Sequence, residues 1–552
     1  MAMTEDVARA PLKTRIGWVV TASAAGTVFE WYDFFIFGSL AAIIAKHFFA
    51  SAGEVQGFIF ALLTFAAGFF VRPFGAVVFG HIGDRTGRKR AFLVTITIMG
   101  LATFAVGFLP DYNSIGFLAP WILVLLRVAQ GFAVGGEYGG AAIYVAEHAS
   151  PQNRGQATGW IQVSASLGLF LALAVILTTR TWLGESTFED WGWRIPFLVS
   201  VLLLGISLWI RLQLDESPVF RRIQAEGATS QAPLSEAFLQ WPNLRLVLIV
   251  LFALLMGQGV VWYTAQFYTQ FFLERVVKVE PATVNLLIMV ITLVSAPLHM
   301  AFAIISDRIG RKPVMLFGLG LAAVSFFPGF HLLTQAVNPA LVSASITSPV
   351  IVNADPADCS FQFDLLGKAQ FTTSCDIARS ALAKMGVPYH TENAAAGSHT
   401  VVHVGSLPVE SLDGRKLAPA ELAKQRGYFE TTLRDALRAT GYPPSADPSR
   451  VDVMGALAAL LVFIIAAAAL YGPQAATLVE LFPTRIRYSA MSVPYHVGVG
   501  WFGGFLPATA FAIVAATGNI YAGLWYPVIV AGIGFLVTLF FLPETRGRNI
   551  TD

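Results

Sequence analysis

Charge is scarce in this chain. Only 13% of its 552 residues are Asp, Glu, Lys or Arg, about half the share of roughly 25% usual in soluble domains. The formal net charge is +2, and the cations fall in short loops instead of forming a face, which excludes a nucleic-acid partner. Cysteine is scarcer still, with Cys359 and Cys375 the whole supply. His390, His399 and His403 follow them without a recognised ligand spacing, so no metal is expected. The chain has no phosphate-binding loop, metalloprotease helix or nucleophile elbow. An enzyme reading therefore has no residues to stand on, and no cofactor is expected. The run Gly498-Val499-Gly500-Trp501-Phe502-Gly503 fits a dinucleotide fingerprint, but it lies inside an apolar stretch with no strand before it. It reads as close helix packing.

What the chain has in abundance is apolar length. Hydrophobic residues make up 55% of it and mean hydropathy is +0.64. Windows of about 20 apolar residues, enough to cross a bilayer, fall at 17–45, 56–80, 91–109, 117–147, 156–178, 194–212, 244–271, 283–305, 314–333, 452–480, 489–516 and 520–542. The polar start, Met1 to Arg15, runs straight into the first of them, so no cleavable signal is expected.

The twelve windows divide six and six because the chain repeats itself. Gly83-Asp84-Arg85-Thr86-Gly87-Arg88-Lys89, after span two, returns as Ser306-Asp307-Arg308-Ile309-Gly310-Arg311-Lys312, after span eight. Asp215-Glu216-Ser217-Pro218 closes span six as Pro543-Glu544-Thr545-Arg546-Gly547 closes span twelve. Glu147 precedes Arg154 after span four as Glu480 precedes Arg485 and Arg487 after span ten. Related halves around a central site are the plan of a secondary transporter. The halves are expected at 1–212 and at 244–334 with 451–552, separated by a loop at 213–243.

Short positive loops stay on the cytoplasmic side. Placing both termini there gathers Arg85, Arg88, Lys89, Arg154, Arg308, Arg311, Lys312, Arg485 and Arg487 with them. The segment 335–450, between spans nine and ten, then lies outside, periplasmic or extracellular. Thr400 to Val404 and Phe361 to Leu366 alternate like strands, while Cys375 to Lys384 and Ala418 to Thr440 carry helical periodicity. A small α/β domain is expected, with a disulfide between Cys359 and Cys375 favoured over two unpaired thiols if that side is oxidising.

Four stretches carry a family resemblance. Gly26-Thr27-Val28-Phe29-Glu30-Trp31-Tyr32-Asp33-Phe34-Phe35 in span one, Arg72-Pro73-Phe74-Gly75 in span two, Arg127-Val128-Ala129-Gln130-Gly131 through Gly139 in span four, and Trp193-Arg194-Ile195-Pro196-Phe197 opening span six resemble the metabolite:proton symporter branch of the major facilitator superfamily. That branch includes carriers for 2-oxoglutarate, citrate, shikimate, proline and betaine. The resemblance covers both membrane halves and not the insert. It implies an all-α membrane protein with a twelve-helix major facilitator fold, importing a small organic acid or zwitterion with protons by alternating access. Its partners would be solute, protons and membrane lipid, acting as a monomer in the cytoplasmic (inner) membrane. A sugar-type porter is the alternative within transport, and a sensor using the outer insert is the alternative outside it.

Ionisable groups inside a bilayer are costly enough to be functional candidates. Glu30 and Asp33, three apart on one helix face, and Glu137 in span four are the expected proton site. The plainer reading pairs one of them with an arginine to hold helices together. Arg127 is the expected carboxylate anchor, because a guanidinium grips a carboxylate through two parallel bonds. Tyr32, Tyr138, Gln258, Tyr263 and Gln266 are the expected further solute contacts. His299 and His496 read as helix contacts. Asp84, set against the positive N-terminus of a helix in the other half, and Arg88, reaching Glu147, form the expected cytoplasmic latch. The resemblance assigns Asp307, Arg311 and Glu480 the same role, with Arg85 and Arg308 beside them.

Overall fold

A computed structural model describes residues 16–49, 54–213, 215–360 and 372–550. The expected strand at 361–366 lies outside them. Each apolar window becomes a helix or a chain of helical pieces. The N-terminal six are Ile16–Ser39 continued by Ala41–Phe48, Glu54–Thr86, Arg88–Phe108, Leu118–His148, Arg154–Leu183 and Arg194–Leu212. The C-terminal six begin with a span assembled from Trp241 to Val276, followed by Pro281–Ile309, Arg311–Val337 and Val453–Leu481. Span eleven is built from Arg487–Tyr495, His496–Gly503 and Leu506–Thr517, and span twelve is Trp525–Phe541. Ten of these spans, all but one and eleven, are long and apolar enough to cross a membrane among the described residues.

The repeated hinges have one local cause. Gly87 and Gly310 adopt φ of 115° and 109°, a region costly for any side chain but not for glycine. Each ends one span and starts the next at once, so spans two and three, and eight and nine, are joined by a single residue.

Close approach shapes the N-terminal half. A methyl group on Gly131 would strike the backbone of Gly68, and one on Gly135 would come within 2.6 Å of the Ala76 nitrogen. Spans two and four therefore pack backbone to backbone, as small residues allow in membranes. Spans seven and eleven depart from regular helix. Span seven widens into π-helical turns at Leu251–Leu255, Thr264–Tyr268 and Phe272–Val276, and span eleven at His496–Gly503. The fingerprint-like glycines sit in that last turn, where Gly498 lies against Leu255 and Met256 of span seven.

The insert holds a four-stranded sheet in the order β2-β1-β3-β4, from β1 (Val350–Ala354), β2 (His390–Asn393), β3 (Val401–Val404) and β4 (Leu407–Glu410). Strands β1 and β2 run parallel through the crossover helix Ser374–Met385, and the other pairs are antiparallel. Val350, Val352, Val402 and Val404 are buried, and so are Phe429, Leu433 and Leu437 on the helix Pro419–Ala439. A disulfide joins Cys359 to Cys375. The expected helices and β3 are present. Strands β1, β2 and β4 were not read from the sequence.

Candidate functional site

The N-terminal half places three carboxylates, two of them buried, among arginines. Asp33 accepts hydrogen bonds from Thr103 Oγ1 at 2.6 Å and from Gln130 Nε2 at 3.2 Å, and it ion-pairs with Arg127 at 3.9 Å. Arg127 also donates to Gln130 Oε1 at 2.7 Å and lies over the Phe37 ring at 4.1 Å. Glu137 is held by Arg211 on both oxygens and accepts from Thr95 Oγ1 at 3.0 Å. Arg211 in turn lies over Phe92. A side chain on Gly26 would occupy the guanidinium's place. Glu30 differs from both. It is half-buried, and among the described residues nothing hydrogen-bonds to it or ion-pairs with it.

In this arrangement the contacts of Arg127 are with Asp33, Gln130 and Phe37, all within its own half. Tyr32 donates to the Pro196 carbonyl at 2.7 Å and is fully buried in the N-terminal half. It ties span one to span six and does not line the seam between halves.

That seam is aromatic. Trp31 meets Trp262 at 5.5 Å, Phe34 meets Phe267 at 6.0 Å, and Phe69 meets Tyr263 at 6.1 Å between centroids. Tyr138 stacks on Tyr495 at 3.9 Å, nearly parallel, while Gln162 donates to its hydroxyl at 3.1 Å. Behind Trp262 stands Tyr471, at 5.9 Å, and His299 packs against Tyr471 at 5.6 Å. Gln266 accepts from Thr292 at 3.2 Å. The side-chain amides of Gln258 and Gln474 are fully buried and have no hydrogen-bond partner among the described residues. A buried amide without partners is costly.

At the end of the bundle that carries the basic hinges, the halves are latched twice. Asp84 accepts from the backbone N–H groups of Tyr488 at 3.1 Å and Ser489 at 2.9 Å, at the start of span eleven. Asp307 accepts from Gly155 at 2.9 Å and Gln156 at 2.7 Å, at the start of span five. Each aspartate thus caps a helix of the opposite half, where the N-terminal dipole favours negative charge. Beside them Arg487 donates to Glu147 at 2.6 Å, and Arg154 donates to Glu480 at 3.0 Å. Glu216 accepts from the N–H groups of Arg88 and Lys89, as Glu544 does from Arg311 and Lys312.

The symmetry is incomplete. Arg311 bonds Glu480, but Arg88 does not reach Glu147. It bonds Asp84 and the Gly83 and Thr484 carbonyls, and Glu147 is taken by Arg487 and Ser217. Arg85 and Arg308 are exposed and form no ion pair among the described residues. They stand outside the latch.

Residues 23–360 match the family model described as Major Facilitator Superfamily. The chain belongs to the Major Facilitator Superfamily. Residues 442–552 match a second model, Sugar (and other) transporter. The shikimate transporter of Escherichia coli K12 is 37% identical over 314 residues, 56% of this chain and 70% of that one. A putative proline/betaine transporter of Staphylococcus aureus is 35% identical over 535 residues, 96% and 89% of the two chains. Such relatives agree with the metabolite:proton symporter branch read from the motifs. The structure of the proton:xylose symporter XylE bound to 6-bromo-6-deoxy-D-glucose superposes with a TM-score of 0.64 at 15% identity, covering 97% and 98%. At that identity the likeness is one of fold.

Within this superfamily member, sequence reasoning passed over Arg211, Tyr471, Gln474 and Tyr495. Tyr471 and Gln474 were detectable as polar breaks in the alanine-rich run of span ten. Arg211 reads as a loop residue by position, and only its long side chain reaching back to Glu137 reveals otherwise.

Proposed function

We propose that the chain is a proton-coupled symporter importing a small organic acid or zwitterion across the cytoplasmic membrane by alternating access. The observation that carries this reading is Glu30, an unpaired carboxylate beside the seam, while Asp33 and Glu137 each have an arginine. An acid without a fixed counter-ion can gain and lose a proton as the cavity changes sides, whereas a paired one resists. Glu30 is thus the proposed proton carrier, with Asp33 as its neighbour on the same face. Tyr138, Tyr263, Gln258 and Gln266 are the proposed solute contacts, joined by Gln474. Trp31 and Trp262 offer ring faces that suit the cationic end of a zwitterion.

The latch of Asp84, Glu147, Asp307 and Glu480 with Arg88, Arg154, Arg311 and Arg487 is the proposed cytoplasmic gate, closed in this arrangement. Both termini and the loop 213–243 then lie in the cytoplasm and the insert 335–450 lies outside, with the protein working as a monomer among lipids. The unpaired amides of Gln258 and Gln474 also suit hydroxyl groups, which supports a sugar-type porter as the second reading.

Purified protein in liposomes with an acid exterior tests both. Accumulation of labelled shikimate, proline or betaine that collapses with the acid gradient is the expected result. Accumulation of xylose alone would replace the reading with its alternative, and flux indifferent to the gradient would remove proton coupling.

A further inference from the structure

Three arginines stand among the three carboxylates of the N-terminal half, and two are taken. Arg127 serves Asp33 and Arg211 serves Glu137. The third is Arg72, near the middle of the span Glu54–Thr86. It is half-buried and, among the described residues, its guanidinium forms no ion pair or hydrogen bond, with Nε buried and unsatisfied. Its position is fixed by rings. The guanidinium carbon lies 4.3 Å from the Phe69 centroid and 5.7 Å from that of Phe34. Those same rings meet Tyr263 and Phe267 of the other half, so the charge sits on the seam. Phe34 is one helical turn from Glu30 on the same face.

The unpaired cation and the unpaired carboxylate therefore stand near each other and unbonded. We propose, resting on the symport reading above, that Arg72 receives the carboxylate of the solute and couples its binding to protonation of Glu30. The argument is one of charge. With the site empty, the field of Arg72 favours ionised Glu30, since an opposite charge nearby stabilises the charged form. A solute carboxylate that grips Arg72 cancels that field and adds a negative charge beside Glu30. Glu30 then takes a proton from the open side, and the loaded site carries solute and proton together. Release of the solute restores the field and expels the proton.

Burial and the charge of Glu137 act against Arg72 at Glu30, so Arg72 does not set the balance alone. Glu30 also feels Glu137, Arg211 and Asp33, together with Tyr138, Tyr471 and Tyr495. Arg72 also feels Asp33, Arg127, Tyr263 and His496. Asp33, Glu137, Arg127 and Arg211 are held in ion pairs, so their charges are fixed while the solute comes and goes. Arg72 is the cation whose partner changes.

Shikimate is the probe, with purified protein in weakly buffered detergent solution at pH 7 and a pH-indicator dye reporting proton uptake. Wild type is expected to take up protons on binding, and Glu30→Gln to bind without uptake. Arg72→Gln is expected to weaken binding about 10–100-fold, the loss of a charged hydrogen bond, and Arg72→Lys to recover part of it with proton uptake intact. Because Arg72→Lys keeps the charge, it reports on the assignment even where Arg72→Gln fails to fold. An unchanged dissociation constant in either Arg72 variant, or full proton uptake in Glu30→Gln, overturns the assignment while leaving symport standing. If wild type neither binds nor accumulates shikimate, proline or betaine, the symport reading falls and takes this inference with it.

Discussion

Arg487, in the C-terminal half, donates to Glu147, in the N-terminal half, at 2.6 Å, and both side chains are almost wholly buried. Arg154 and Glu480 repeat the bond at 3.0 Å with the halves exchanged. The latch is thus made twice, once in each direction, so opening this end must break both bonds together. Removing one partner of a buried pair leaves an uncompensated charge and costs about 3–5 kcal/mol. Arg487→Gln is expected to weaken the latched state by that order and bias the protein towards opening at this end. The check is the labelling rate of a cysteine introduced at Tyr488, a buried residue beside the latch, which should rise at least tenfold. An unchanged rate means the pair does not hold the gate.

Acid should loosen the same end by a route traceable to Glu544, just beyond span twelve. Burial alone would raise its pKa, but backbone N–H groups of Arg546, Arg311, Lys312 and Thr545 favour the ionised form and hold it below the ordinary 4.5. A carboxylate whose folded pKa is depressed stabilises the fold above its unfolded pKa, and that contribution fades as pH falls through the lower folded value. Thermal unfolding in detergent between pH 3 and 6 should therefore show wild type losing stability below about pH 4.5. Glu544→Gln should be less stable at pH 6 and flatter across the range. Parallel profiles would assign the acid response to other groups.

The architecture was legible because its causes are local and repeated. Twelve apolar runs of spanning length and a charged hinge written twice need no tertiary information. Partners were not legible, because they lie far apart in the chain and depend on side-chain reach. Glu147 meets Arg487 340 residues away, and Arg88, expected to take Glu147, is turned instead to Asp84 four residues before it. The π-turns of spans seven and eleven left no mark on apolar periodicity, since a membrane span is apolar on its lipid-facing side as well as on its packed side. Strand β2 is exposed at all four positions, so it never alternates and could not be read as a strand.

Glu137 and Arg211 form a pair whose role is separable from that of Glu30. Arg211→Met should destabilise by about 3–5 kcal/mol through a stranded carboxylate, and adding Glu137→Gln should recover most of the loss. Unfolding temperatures of the two single variants and the double variant close that cycle. In liposomes the double variant is expected to keep proton-driven accumulation, which Glu30→Gln loses while still exchanging solute across the membrane. Loss of accumulation in a stable double variant would return Glu137 to the proton pathway.

The insert bears on spans seven and eleven, the two that carry π-turns. Arg379 donates to the Ala516 carbonyl and Tyr389 N–H to the Gly518 carbonyl at 2.9 Å, at the end of span eleven. At the end of span seven, Lys278 donates to the Lys384 carbonyl at 2.8 Å and accepts from Ala446 N–H at 2.9 Å. Lys278 has φ of 60°, which costs a non-glycine residue of order 1–3 kcal/mol and persists only where neighbours hold it. Among the described residues, the insert forms no hydrogen bond or ion pair with the N-terminal half. Its contacts are with the C-terminal half, where it braces the ends of the two irregular spans. Its own ends are adjacent, with Asp452 N–H bonded to the Ala336 carbonyl at 2.8 Å, so a short Gly–Ser linker can replace residues 339–450. That variant should fold and show faster hydrogen exchange at 272–278 and 514–520, with a KM for external solute shifted more than twofold. Unchanged exchange at both span ends would mean that the spans hold their own shape and that the insert neither braces nor covers the entrance.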